Sequence, residues 1–302
     1  MRPSPRGRRN RREGSSLALM YILLILFALT IVGAFWIIIS ISLTATADLR
    51  SGFRFIPPNW SLEAYAYTIA NMSGIFNAYG VSLIYSFGGT ALSLTVMSMV
   101  GYALTNRRFH ARRVISFYIF FTMLFSGGLT SSYIWIKQYL RLSDTIWVLI
   151  LPGLVNCFHV MMIRTSMQGL PSSLFESAKI DGASEYRIFL QLVIPLSSPI
   201  LATVGFMGLL GRWNDWFNPM IFINDRRLFP IQYLLQRMLR AIQEALNMIE
   251  MSPMGDYVDV KSLPRENLRM AMMVVTILPM MIAFPFFQRF FVRGITVGSM
   301  KG

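Results

Sequence analysis

The sequence predicts an all-α polytopic membrane protein with six transmembrane helices, a helical loop in the cytosol and both termini cytosolic. Three observations carry this. The 302-residue chain is 54% hydrophobic and only 14% charged, whereas soluble domains carry about a quarter charged residues. Its apolar residues gather into runs long enough for an α-helix to cross a ~30 Å hydrocarbon core. Its basic residues gather between alternate runs, the pattern that sets topology. The net charge of +14 therefore reads as topology and contact with anionic membrane lipid, and no nucleic acid is expected as a partner.

Composition also excludes several chemistries. The single cysteine, Cys157, permits no internal disulfide framework. The two histidines, His110 and His159, are too few and too scattered for a metal site. No cofactor is expected. The first apolar run is far longer than a signal-peptide core, so a cleaved leader is not expected.

Residues 1–16 carry six arginines and one glutamate, bury nothing, and are expected to form a disordered basic tail held in the cytosol. RNA binding is the competing reading of this stretch. The membrane-embedded body is expected over 17–290. Its first span is 17–43, which at ~1.5 Å per residue exceeds the bilayer core and should tilt or project. In the polar stretch that follows, Pro57 and Pro58 oppose a helix, and Asn59 or Ser61 is a candidate cap for a short helix with Tyr65 and Tyr67. The second span, 78–104, is rich in Gly, Ser and Thr (Gly80, Ser82, Ser86, Gly88, Gly89, Thr90, Ser93), which suits close helix packing.

The loop NRRFHARR carries four arginines and is placed in the cytosol. Spans at 114–135 and 145–163 follow, joined by a short outer loop. A polar loop, 165–198, leads to the fifth span, 199–223, which contains Arg212 and Asp215. An outer segment, 224–267, holds an amphipathic helix with Ile231, Leu234, Leu235, Met238, Leu239, Ile242 and Leu246 at helical spacing. The sixth span is 268–287, and the basic tail 291–302 returns to the cytosol. With this topology the cytosolic segments hold 16 basic and four acidic residues, and the rest of the chain 12 and 10. The asymmetry favours this orientation over its inverse.

The loop at 165–198 is unusual for a cytosolic connection because it is apolar as well as charged. Ser172 or Ser173 is the expected N-cap, with Glu176 in the first turn, where the helix dipole favours an acid. Phe175, Ala178 and Ile180 form an apolar face. Gly182 should stop this helix. A second helix carries Tyr186, Phe189 and Leu190, and Pro195 should break the chain into the fifth span. A plain linker is the competing reading, but a linker need not expose so many large apolar residues.

ESAKIDGASEYRIFLQLVIP resembles the EAA loop of ATP-binding-cassette import permeases: Glu-Ala-Ala, three residues, Gly, nine residues, Ile-x-Leu-Pro. Glu176, Ala178, Gly182 and Pro195 fall in register; Ser177 replaces an Ala, Leu192 the Ile and Ile194 the Leu. YALTNRRF, DTIWVLILPGLVNCF, WNDWFNPMIF and the ending FFQRFFVRGITVGSMKG resemble the carbohydrate, maltose-importer-like branch. The ending resembles an oligosaccharide subgroup.

The resemblance implies a subunit that is not an enzyme. It would form half of a sugar path in the cell membrane as a heterodimer with a second permease. Two ATPase subunits would supply the energy and an extracytoplasmic solute-binding protein the sugar. Glu176, Ser177, Ala178, Asp181, Gly182 and Pro195 would serve the ATPase coupling. The outer segment would meet the binding protein.

Trp213, Asn214, Asp215, Trp216 and Asn218 are candidates for the sugar path, because sugars need planar polar groups and aromatic faces and charges within a span are functional candidates. The competing reading is that Arg212 and Asp215, three residues apart, pair with each other. His159, Cys157 and the methionines of the sixth span read as packing residues. A self-contained secondary transporter is the alternative function; it would want more intramembrane carboxylates than Asp215 and inverted repeats of spans, which are not seen. A membrane enzyme would want an acid–base pair or an activated nucleophile, also not seen.

Overall fold

The structure, a computed structural model, describes residues 5–49, 55–71, 74–106, 109–250 and 266–299. Arg107 and Arg108 of the basic loop, 251–265 of the outer segment, and the chain ends 1–4 and 300–302 lie outside the described residues. Among the described residues the secondary structure is helical, with one isolated bridge between Thr44 and Trp60 and no strand. The chain divides into two compact units, residues 1–73 with 241–275, and residues 74–240 with 276–302.

In the first unit, α1 (Pro5–Ser42) runs back through most of the arginine-rich stretch expected to lack structure. Extending a nucleated helix costs little, and arginine is a good helix former. From Leu17 to Val32 the large apolar side chains of α1 are all exposed. A helix apolar on every side needs hydrocarbon around it. Its end is tied by polar contacts: Trp36 Nε1 donates to the Phe55 carbonyl at 2.9 Å, and the Ser42 and Tyr65 hydroxyls lie 2.8 Å apart. Tyr65 belongs to α2 (Glu63–Asn71), where Ser61 Oγ accepts from the Glu63 amide at 3.1 Å. Ser61 therefore supplies the cap; Asn59 turns to Asp48 instead, at 3.0 Å.

The second unit is built on α3 (Ile75–Thr105), a candidate span of 31 residues with a π-turn segment at Ile84–Gly88. Ser82, Ser86, Gly89, Thr90 and Ser93 are buried, as the small-residue pattern predicts, whereas Gly88 is exposed. A Cβ at Gly101 would sit 2.9 Å from Ile163 Cγ2, and one at Gly205 would sit 2.9 Å from Leu94 Cδ1. These glycines let neighbouring helices pack closely, as is common where lipid removes the hydrophobic drive between helices.

The expected third span is not straight. It forms α4 (Arg112–Leu124) and α5 (Gly128–Tyr139), which meet at 117°. Gly128 makes the corner with φ +79°, a conformation that residues with a Cβ resist. The expected fourth span is broken into α6 (Ile146–Ile150) and α7 (Cys157–Gln168). Pro152 cannot donate to the helix ladder.

Helices α8 (Ser172–Ile180) and α9 (Glu185–Leu196) form the loop before the fifth span. That span begins as α10 (Ser198–Trp213), bent 78° from α9. The break falls at Ser197, two residues past the expected Pro195, because Pro199 has no N–H to return to the carbonyl of Pro195. The span also stops at Trp213, and α11 (Phe217–Phe222) completes it. The outer amphipathic helix is α12 (Ile231–Glu250), followed by α13 (Glu266–Ser299), which contains Pro279 and Pro285. Among the described residues three helices are long and apolar enough to cross a membrane, or up to five if each bent pair is one span.

Candidate functional site

Helices α8 and α9 form a ledge joined by a glycine corner. The Ala183 amide donates to the Ala178 carbonyl (3.0 Å) and the Gly182 amide to the Lys179 carbonyl (3.1 Å). With Gly182 at φ +74°, this is the paired closure that ends a helix on a left-handed residue. Ala178 and Ala183, the two small residues of the closure, pack on the bundle core that includes Ile163, Met167 and Ile188. Ser184 then caps α9, its Oγ accepting from the Arg187 amide at 3.3 Å. Helix α8 begins one or two residues earlier than the Ser172 or Ser173 cap predicts, with Pro171 at its N-cap, so Ser172 and Ser173 are helical and Glu176 lies beyond the first turn.

Polar contacts clamp the ledge to α3. Tyr102 Oη donates to Glu185 Oε2 at 2.6 Å, and Lys179 Nζ lies 2.8 Å from Glu185 Oε1. Glu185 thus joins the end of α3 to both ledge helices. The Tyr102 and Phe189 rings pack at 5.3 Å between centroids. A cavity of about 760 Å³ opens beside this clamp, lined by Tyr102, Arg112, Gln168, Glu176 and Lys179 among others.

The apolar residues of the ledge divide between two faces. Phe175 and Ala178 turn inward onto the core. Ile180 is 85% exposed, Tyr186 74% and Leu190 61%. Of the six residues expected at the coupling surface, Glu176, Ser177, Asp181, Gly182 and Pro195 are exposed, and Ala178 is half-buried on the inner side. The exposed apolar tip is formed instead by Ile180 and Tyr186, on either side of Gly182. The period of 3.6 could have separated Ile180 from Phe175, which is five residues away and not on the same stripe.

At the far end of α10, Asp215 is a node. Its Oδ2 accepts from Tyr85 Oη (2.7 Å) and Asn218 Nδ2 (2.8 Å), and its Oδ1 from the amides of Phe217 and Asn218 (both 3.1 Å). Arg212 does not pair with it directly. Arg212 Nη2 donates to the Gly153 carbonyl at 2.9 Å, in the break between α6 and α7, and Ser93 Oγ donates to the Leu154 carbonyl. Carbonyls freed in an apolar environment need such partners.

Trp213 is 1% exposed, with Nε1 donating to the Thr276 carbonyl at 3.1 Å, so it is a packing residue. Asn214 and Asn218 are exposed, and Trp216 is half-buried with the Arg240 guanidinium 5.4 Å from its ring centre. Among the described residues, no three of His, Cys, Asp and Glu come together as a metal site would require.

At the same end, the loop before α6 is fastened to the one after α11. Asp144 accepts from the Asn224 amide, from the Asp225 amide (3.1 Å) and from Asn224 Nδ2 (3.2 Å). These donors, the Asn224 amide foremost, hold the Asp144 carboxyl below the usual aspartate range.

Residues 98–297 match the family described as binding-protein-dependent transport system inner membrane component. The chain belongs to this family. The matched region contains the ledge, its clamp and Asp215. The permease is 36% identical over 285 residues to the polygalacturonan/rhamnogalacturonan transport system permease protein YtcP of Bacillus subtilis, covering 94% of this chain and 97% of that one. It is 29% identical over 261 residues to the arabinooligosaccharides transport system permease protein AraQ of Halalkalibacterium halodurans, covering 85% and 86%.

Its fold is similar to that of a chain in a crystal structure of a bacterial ABC transporter involved in import of the acidic polysaccharide alginate. The TM-score is 0.79 at 26% identity, over 94% of this chain and 98% of that one. The permease is therefore a multi-pass membrane component of an ATP-binding-cassette import system. It is not the ATPase. Permeases of this kind work with a second permease, ATPase subunits and a solute-binding protein.

Proposed function

We propose that this permease forms half of an inward path for oligosaccharides and that its ledge receives the motion of the ATPases. The observation that carries the coupling reading is the ledge itself: an exposed apolar tip at Ile180 and Tyr186, held to the bundle by the Tyr102–Glu185–Lys179 clamp. A lever must present a surface to its driver and be stiff behind it. The tip supplies the surface, and the clamp with the inward packing of Phe175 and Ala178 supplies the stiffness.

In this reading the chain crosses six times with both termini in the cytosol. The residues at 17–290 act as one permease domain between a basic tail at 1–16 and another at 291–302. Helices α6 and α7 together make the fourth crossing. Two ATPases sit beneath a heterodimer of permeases. Glu176, Ser177, Asp181 and Gly182 border the contact with one ATPase, while Ala178 and Pro195 shape the ledge. Nucleotide-driven closure of the ATPases then shifts the spans between two states. The sugar class follows the relatives named for polygalacturonan/rhamnogalacturonan and arabinooligosaccharide transport, and in this reading Asn214, Asp215, Trp216 and Asn218 line the path.

Affinity purification of the permease in mild detergent tests this. A second permease and an ATPase should come down with it. Purification alone, with transport by the isolated chain, would favour a secondary transporter.

A further inference from the structure

Arg237 and Arg240 lie one turn apart on α12 and are both exposed. Each guanidinium is held over an aromatic ring, Arg237 at 5.0 Å from the centre of Phe229 and Arg240 at 5.4 Å from that of Trp216. Among the described residues no carboxylate lies within 4 Å of either guanidinium. Asp215, beside Trp216 in sequence, already accepts four hydrogen bonds of 2.7 to 3.1 Å and is committed elsewhere. The rings and, for Arg240, a contact to Met220 Sδ at 3.3 Å orient the two cations, and among the described residues neither is paired with a carboxylate.

We propose that Arg237 and Arg240 select oligosaccharides bearing carboxylates, that is, uronate chains. The proposal rests on the sugar-importer reading and names the substrate class within it. A guanidinium takes a carboxylate through two parallel N–H bonds, a geometry that an ammonium does not offer. Neighbours at i and i+3 are about 5–6 Å apart at Cβ, so one oligosaccharide reaches both. In the proposed topology these arginines are on the outer side, where basic residues are not needed to set orientation. Their positive charge also raises the local concentration of an anionic solute.

The test uses the assembled importer in proteoliposomes, with its partner permease, ATPases and solute-binding protein. The probes are short oligogalacturonates, their methyl-esterified neutral forms, oligomannuronates and a neutral gluco-oligosaccharide. The wild type should take up at least one acidic probe in preference to the neutral ones. In R237Q/R240Q that preference should fall about five- to tenfold, roughly 1 to 1.4 kcal/mol, with neutral uptake held within about twofold. R237K/R240K should retain part of the preference, because it keeps charge and loses the fork.

Equal uptake of acidic and neutral probes by the wild type overturns the proposal and leaves the importer reading standing. So does a parallel loss of both in R237Q/R240Q, which would mark a docking face for the binding protein. So does a loss that follows the phosphatidylglycerol content of the vesicle and not the charge of the sugar. If no oligosaccharide of either charge enters, the sugar reading itself falls.

Discussion

The Tyr102 hydroxyl donates to the Glu185 carboxylate across 2.6 Å, and through it the end of α3 holds the second helix of the ledge. The same carboxylate pairs with Lys179 on the first helix. Removing the hydroxyl in Tyr102→Phe should loosen the ledge without unfolding the bundle, at a cost of about 1 kcal/mol. Glu185→Gln should do somewhat more, since it also weakens the exposed Lys179 pair, itself worth at most about 1 kcal/mol. Both variants should lower the sugar transported per ATP hydrolysed in proteoliposomes by about two- to tenfold. Hydrolysis itself should persist, which separates lost coupling from lost assembly.

Gly182 stands at φ +74° with no atom within 4 Å of a Cβ built on it, so the backbone and not crowding opposes substitution. Gly182→Asn should be the mildest change, because Asn tolerates the left-handed region. Gly182→Asp adds a negative charge at the negative end of α8, a further ~0.3–1 kcal/mol. Gly182→Val should be worst, because a β-branched residue resists this conformation most. Transport per ATP should fall in that order while the amount of protein in the membrane stays the same.

The helical character, the ledge and its glycine corner were legible from residue pattern, because apolar length and Gly182 act locally. The breaks were not. The gap between α6 and α7 depends on which partners receive the freed backbone. Those partners, Ser93 and Arg212, are distant in sequence. Asp215 and Arg212 read as a pair from spacing alone, yet Tyr85 takes the first and the Gly153 carbonyl the second. Trp213 looked like a sugar platform because composition cannot tell an indole facing a path from one facing Thr276.

Arg212 should therefore matter for stability more than a lone intramembrane charge would. Arg212→Leu leaves the Gly153 carbonyl without its donor, a loss of about 1–3 kcal/mol. Thermal unfolding in detergent should show a lowered midpoint, and Arg212→Lys should recover part of it.

Asp144 has φ 57° and accepts three hydrogen bonds from Asn224 and Asp225. Its carboxyl is depressed in the folded chain, so its contribution is complete above the ordinary aspartate pKa of about 3.9. It is lost as pH falls through the lower folded value. The loop should stay closed to proteolysis at neutral pH and open only in acid. Asp144→Asn should open it less than Asp144→Ala, because the Asn amide oxygen still accepts from the Asn224 and Asp225 amides and Asn tolerates the positive φ.

The central claim is that the tip of the ledge meets an ATPase. A photo-crosslinking amino acid placed at Tyr186, which is 74% exposed, measures this in the assembled complex within native membranes. The predicted result is a single adduct with the ATPase subunit whose yield changes between nucleotide-free and ATP-bound states. Capture of the solute-binding protein at that position, or an ATPase adduct indifferent to nucleotide, would contradict it.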